Sequence, residues 1–216
     1  MKHHQSLRIA RRFSGPLMFL CVAALAACSG PPIRYYSLAE TAPPTPAAAP
    51  AKPLFIELAP VAVPERLARP QLVVRTKEGA GDAELSMLEQ RRWASSFENE
   101  LRDALGAGIA SRLGAVDLSG GGRQRGQPVV RIAVRVVRFD LVADSRIDAA
   151  FSWTLRHSDD DAGAAPLACR LALTEPVGPG IDLLAQGARL VGARLADAVA
   201  ASVAAQQAGR PAACPA

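Results

Sequence analysis

The chain has 216 residues and a mass of 22.6 kDa, enough for one domain with a real hydrophobic core or at most two small ones. Half the residues are apolar and 21% are charged, which excludes a wholly disordered chain. The net charge of +5 hints at a polyanion partner. However, four of the 25 basic residues and none of the 20 acidic ones lie in residues 1–27. The remainder carries 21 basic against 20 acidic residues and offers no electrostatic footprint for nucleic acid.

Those first 27 residues read as a leader. Lys2 to Arg12 is a basic segment, and Leu17 to Ala27 is an apolar run. Eleven helical residues rise roughly 16 Å against about 30 Å of hydrocarbon, too short to span a membrane. They fit the core of a secretory signal. The run ends Leu25-Ala26-Ala27-Cys28, which resembles the bacterial lipobox, where the Cys thiol is acylated and the chain is cut just before it. The resemblance makes Cys28 the lipidation site. Ser29, not being acidic, permits export to the outer membrane. Two or more acyl chains anchor a protein stably. Of the other cysteines, Cys21 leaves with the leader, while Cys169 and Cys214 enter an oxidising compartment. They either pair or stay apart, and spacing alone leaves both open.

Residues 28–53 form a lipidated Cys followed by a Pro/Ala-rich tether with Pro43, Pro44, Pro46, Pro50 and Pro53. Within it, Ile33 to Leu38 is apolar and aromatic enough for a short strand. If that strand docks, residues 29–32 are the only free tether, about 13 Å at full extension; if not, residues 29–53 reach roughly 80 Å.

The core domain is expected over residues 54–205. Leu54, Ile56 and Leu58 alternate as a strand ended by Pro60 and Pro64. Gln71–Arg75 is a second strand. Glu84–Gln90 is a third strand or a helix start, with Ser86 and Glu89 at capping-box spacing. From Trp93 the period turns helical: Trp93, Phe97, Leu101, Leu105, Ile109 and Leu113 recur every four residues. Ser95 and Glu98 form a second box, and Gly114 is a stop. After the glycine loop at 120–126 comes the longest strand. Val130, Ile132, Val134 and Val136 are followed by a phase switch to Val137, Phe139 and Leu141, which places a bulge near Val136–Arg138. Two further alternating runs, Ile147–Leu155 and Leu167–Leu173, complete an antiparallel meander with Cys169 on its buried face. A second amphipathic helix carries Leu184, Ala188, Val191, Leu195, Ala198 and Ser202. Residues 206–216 read as a flexible tail. The inventory predicts an α+β fold, an antiparallel or mixed sheet with two amphipathic helices on one face.

Catalytic equipment is missing from the pattern. Beyond the leader there is one histidine, His157, which with two distant cysteines does not make a zinc site. Asp159, Asp160 and Asp161 lack the glutamate that a calcium loop needs at its twelfth position, where Arg170 stands. The 120–126 loop lacks the Lys-Ser/Thr of a phosphate loop. No catalytic residue, metal or cofactor is expected. Arg69, Pro70, Gln71 and Arg75 flank or occupy a short, Pro-bounded strand and make a candidate partner-binding edge. Trp93 is expected in the core.

At Tyr35-Tyr36-Ser37-Leu38, Leu67 to Arg75 and Arg92-Trp93-Ala94 the chain resembles the ABC-type transport auxiliary lipoprotein family, PqiC-like lipoproteins associated with mammalian-cell-entry (MCE) domain systems. The sequence departs from the family pattern at Arg66 and Ala68 and in the length of the Pro-rich segment. The resemblance implies a non-enzymatic lipoprotein on the periplasmic side of the outer membrane, supporting lipid transport and envelope integrity. Its partners would be an MCE-domain protein, the bilayer through acylated Cys28, and other copies of itself, with no nucleic acid. It also implies that residues 84–90 are strand or loop, with the helix starting near Trp93. An alternative reading is a lipid-binding carrier or sensor with an apolar cavity between helices and sheet.

Overall fold

In a computed structural model of the chain, the described residues are 31–40, 53–75, 84–122, 126–158, 166–209 and 214. Residues 1–27, Cys28, most of the Pro/Ala tether and Asp159–Asp161 lie outside them. A compact unit runs from Ile33 to Ala216.

The elements in chain order are β1 Arg34–Tyr36, β2 Phe55–Leu58, a 3-10 turn Glu65–Leu67, β3 Gln71–Arg75 and β4 Leu85–Trp93. They continue with α1 Phe97–Leu113, β5 Val116–Asp117, β6 Val130–Val142, β7 Arg146–His157, β8 Leu167–Pro176 and α2 Ile181–Gln207. The eight strands form one open mixed sheet, so the fold is α+β as the sequence predicts. β6, β7 and β8 are the antiparallel meander. The other edge of β6 is shared. β2 pairs in parallel with its first residues (Ile56 opposite Val130), and β3 pairs in parallel with its last (Val74 opposite Leu141). The sheet therefore forks at β6: one branch continues through β3 and β4 to β1, the other through β2 to β5.

The meander's alternation buries one face. Ile132, Val134, Phe139, Ile147, Phe151, Trp153 and Cys169 are all 3% exposed or less. The phase slip in β6 is a bulge between Val136 and Arg138. Val137 is not the first residue of a new inward phase. It is the extra residue, left 58% exposed, and the inward phase resumes at Phe139.

α2 lies on the buried face. Its stripe of Leu184, Ala188, Val191, Leu195, Val199 and Val203 is fully covered, and Arg194 reaches Glu175 of β8 at 2.9 Å. An added β-carbon at Gly187 would run into Val177 and Ile147, so a residue without a side chain is what lets the helix settle this close. α1 packs beside α2. It ends at Gly114, whose φ of 60° is the left-handed stop that the sequence predicts.

The start of α1 differs from expectation. Trp93 closes β4 instead of opening the helix, because its N–H donates to the Pro70 carbonyl at 2.6 Å and fixes its backbone in the sheet. The cap is Ser96, whose hydroxyl accepts from Asn99 N–H at 3.4 Å, and neither Ser95–Glu98 nor Ser86–Glu89 forms a box. The four-residue period persists through Trp93 because its ring still stacks near Phe97 (5.8 Å between centroids), which continues to Phe139 (4.8 Å) and Phe151 (6.3 Å). The helix α2 runs to Gln207, past the expected boundary at 205, and Cys214 beyond it is disulfide-bonded to Cys169 with Cα atoms 5.3 Å apart.

Candidate functional site

The sequence segments that stand out singly meet at one place. β1 docks in parallel on β4 and sets Tyr35 opposite Arg92 and Tyr36 opposite Trp93. The Tyr36 carbonyl accepts Ala94 N–H at 2.8 Å, the Pro70 carbonyl accepts Trp93 N–H at 2.6 Å, and the Arg69 carbonyl accepts Phe97 N–H at 3.3 Å. Three distant stretches, 35–38, 69–71 and 92–97, thus share one hydrogen-bonded junction at the edge of the sheet, directly below the start of α1.

From that junction residues 36–40 run as a strap against both helices. The Tyr36 hydroxyl donates to Asp182 at the start of α2 (2.6 Å) and accepts from Arg91 (2.7 Å), while Arg34 reaches the other Asp182 oxygen at 2.9 Å. Asp182 is held below the usual carboxylate range, foremost by the Tyr36 hydroxyl and then by Arg34 and Arg91. Tyr36 is pushed above the usual phenol value by burial and by Asp182, against the opposing pull of Arg91. Leu38, 1% exposed, is the apolar rivet; burying it contributes about 2 kcal/mol. Its N–H and the Ser37 hydroxyl both donate to Glu100 of α1, at 3.0 and 2.9 Å.

The last fastening is Glu40 on Arg112, 2.8 Å away. Arg112 also pairs with Asp197 of α2 and donates to the carbonyls of Gly108 and Ala193, so it joins strap, α1 and α2. Burial alone would disfavour its charge, but Glu40 and Asp197 outweigh that and raise its pKa. Beside the strap is a groove of about 400 Å³, lined by Ser37, Glu40, Glu100, Asp103, Ala104 and Gly108 among others.

The residues read as a partner-binding edge sit otherwise. β3 is flanked by β4 along its length and by β6 at Val74–Arg75, so it offers no free edge for strand pairing there. A Pro-bounded strand looks like an edge in sequence, but Pro70 needs only to lend its carbonyl. Arg69 lies by Met87 (3.2 Å to Sδ), Gln71 by Glu89 (3.4 Å), and Arg75 by Asp140 (3.4 Å). Among the described sheet strands, β1, β5 and β8 are the ones with a single neighbour.

No group of three metal-ligating side chains assembles among the described residues, and His157 ends β7 far from the junction in sequence and register. The layer between sheet and helices is filled by Trp153, Phe97, Phe139 and Phe151, each under 2% exposed. Sequence reasoning missed Asp182, Glu100 and Arg112. The available signal was an acid in each helix's first turn and a cation in the last turn of α1.

Fold and junction together define an α+β domain held at its N-terminal end by its own helices. The model of the ABC-type transport auxiliary lipoprotein component family matches residues 36–200, and the chain belongs to that family. Among solved structures it is similar to an uncharacterised protein at 21% identity and TM-score 0.61, covering 80% of this chain and 99% of that one. It is also similar to protein XCC0632 from Xanthomonas campestris at 15% identity and TM-score 0.58, covering 82% and 98%. At these identities the likeness shows the fold. Among curated proteins no match is found.

Proposed function

We propose that this chain is a non-catalytic, lipid-anchored subunit of an ABC transport system of the MCE type. Acylated Cys28 holds it on the outer membrane facing the periplasm, where it supports lipid movement and envelope integrity through an MCE-domain partner. The observation that carries this reading is the strap. Ile33 follows Cys28 by five residues, and the chain from there to Glu40 is fastened at Asp182, Glu100 and Arg112. A protein whose work is done at a fixed place on a bilayer gains from such a rigid exit. Family membership supports the transport role. The filled layer under the helices supports an adaptor over a carrier.

The test is in cells that express the whole system. Labelled palmitate should enter the chain and be lost in Cys28→Ala, and crosslinking should recover an MCE-domain protein. Label that never enters the chain overturns the anchor; crosslinks confined to other proteins overturn the partner.

A further inference from the structure

The face of the meander that turns away from the helices is studded with arginine. Arg131, Arg135 and Arg138 on β6 alternate with, or follow, residues buried beneath α2; so do Arg156 on β7 and Arg170 on β8, and all five are exposed. The register sets Arg131 opposite Arg156, and Arg135 opposite Ser152, which in turn lies opposite Arg170. Like charges directly opposed across strands cost stability. Arg131 is paired with Glu57 at 3.6 Å, and Asp148, whose pKa is lowered first by the Thr174 hydroxyl and by Arg146, also feels the charge of Arg138. Arg135, Arg156 and Arg170 form no ion pair within the described residues. Between them the face holds Ala133, Ala150, Ser152, Thr154, Ala168 and Ala172, small side chains that leave the guanidinium groups standing proud.

The same face continues towards β1 with apolar groups. Met87 is opposite Val73 and Leu85 opposite Arg75, and both partners alternate with the buried Leu72 and Val74. Tyr35 lies between Arg34 and Tyr36, which turn to Asp182 on the helix side, so Tyr35 turns to the open side and is 62% exposed. Leu85 and Met87 are exposed by 40% and 46%. Across its width the open face runs from an aromatic and apolar end, where the chain emerges, past Asp140 and Asp148, which pair with Arg75 and Arg146, to Arg135, Arg156 and Arg170, whose charges no ion pair among the described residues offsets.

We propose that this open sheet face is a docking surface for anionic phospholipid headgroups, and that the domain lies on its own membrane with the two helices turned outward. A bilayer surface suits the pattern better than a protein, because the arginines are spread over roughly 20 Å along β6 and 10 Å across the strands. Among the described residues Arg135, Arg156 and Arg170 form no ion pair, and no shared acid draws them to one point. Guanidinium groups with nearby Tyr, Leu and Met match the interfacial zone of a membrane. The inference rests on the lipid-anchored reading for the nearness of the bilayer: with β1 docked, the free tether of residues 29–32 reaches about 13 Å, so the edge carrying Tyr35 cannot leave the headgroup region.

The unlipidated chain from Ser29 tests the face on its own. The unit from Ile33 has its own core, and the solved neighbours consist almost wholly of the corresponding part. The chain should sediment with vesicles of phosphatidylethanolamine and phosphatidylglycerol, release as salt is raised, and ignore phosphatidylcholine vesicles. Each arginine near an anionic surface contributes roughly fivefold in affinity, so R135E/R156E/R170E should weaken binding on the order of 100-fold or more. Its melting temperature should be no lower than the parent's, because no described contact is lost and the opposition of Arg131 and Arg156 is relieved. The variant R135K/R156K/R170K keeps the charge and should bind nearly as the parent does. Equal binding by the glutamate variant, or indifference to phosphatidylglycerol, overturns the proposal. Capture of an acidic protein by the parent with no vesicle binding overturns it too. Palmitate entering Cys28 while the unlipidated chain ignores every vesicle overturns the arginine face and leaves the anchor standing.

Discussion

At the scale of single residues, the strap is a set of proton-dependent contacts with opposite signs. Asp182 has a folded pKa below its unfolded value, so its contacts stabilise fully above the ordinary carboxylate value of about 3.9 and are lost as pH falls through the lower folded value. Tyr36 has a folded pKa above its unfolded value of about 10, so its contribution is complete below that pH and disappears as the phenol ionises above it. The bond from Tyr36 to Asp182 is therefore intact across the whole neutral range. Tyr36→Phe should move the Asp182 midpoint up towards the ordinary value in a carboxyl NMR titration; an unmoved midpoint would mean that Arg34 and Arg91 suffice. Arg112 is the more costly residue, since its side chain is 12% exposed and four groups converge on it. Arg112→Met leaves Glu40 half-buried without its cation, and a loss of about 1–3 kcal/mol is expected in chemical denaturation.

Among the elements, α2 and β6 show what a sequence pattern reveals and what it hides. The α2 stripe is legible because a helix on a sheet needs one continuous apolar face, and every residue read onto it is buried. The β6 bulge is legible from its phase slip, but not which residue is extruded, because Val137 and Phe139 share parity and only packing against Phe97 and Phe151 selects the phenylalanine. Trp93 reads as helical in sequence because a four-residue period cannot distinguish a helix from a strand end that feeds one. β1 and β5, three and two residues long, carry too little pattern to be placed without their partners. The seat of α2 is a sharper test of packing. Gly187→Ala should lower stability by about 1–3 kcal/mol despite the better helix propensity of alanine. A rise in melting temperature would show that Val177 and Ile147 give way freely.

For the molecule as a whole, charge is the quantity that summing conceals. Beyond the leader the basic and acidic residues nearly cancel, yet the fold matches Arg34, Arg91 and Arg112 with Asp182, Glu40 and Asp197 at the strap and leaves Arg135, Arg156 and Arg170 on the open sheet face without an ion pair among the described residues. That segregation depends on strand register and could not be read from totals. The candidate site was legible as separate motifs but not as one junction, because residues 36, 70 and 93 are joined by backbone bonds that no side-chain pattern announces. The opposite edge is closed by Cys169–Cys214. Cys214→Ser should destabilise by up to about 4 kcal/mol, the entropy of a loop with that separation, and the parent should run two hydrogens lighter than its reduced form in a mass spectrum. With β1 at one border of the sheet and this crosslink at the other, a pull arriving from upstream of Ile33 falls first on three strand residues and the Leu38 rivet. If they yield, the length of chain between Cys28 and the next strand sets the reach, which at full extension grows from about 13 to roughly 80 Å. With Cys28 as the proposed anchor, the strap would set the force at which the domain changes from resting close to ranging far.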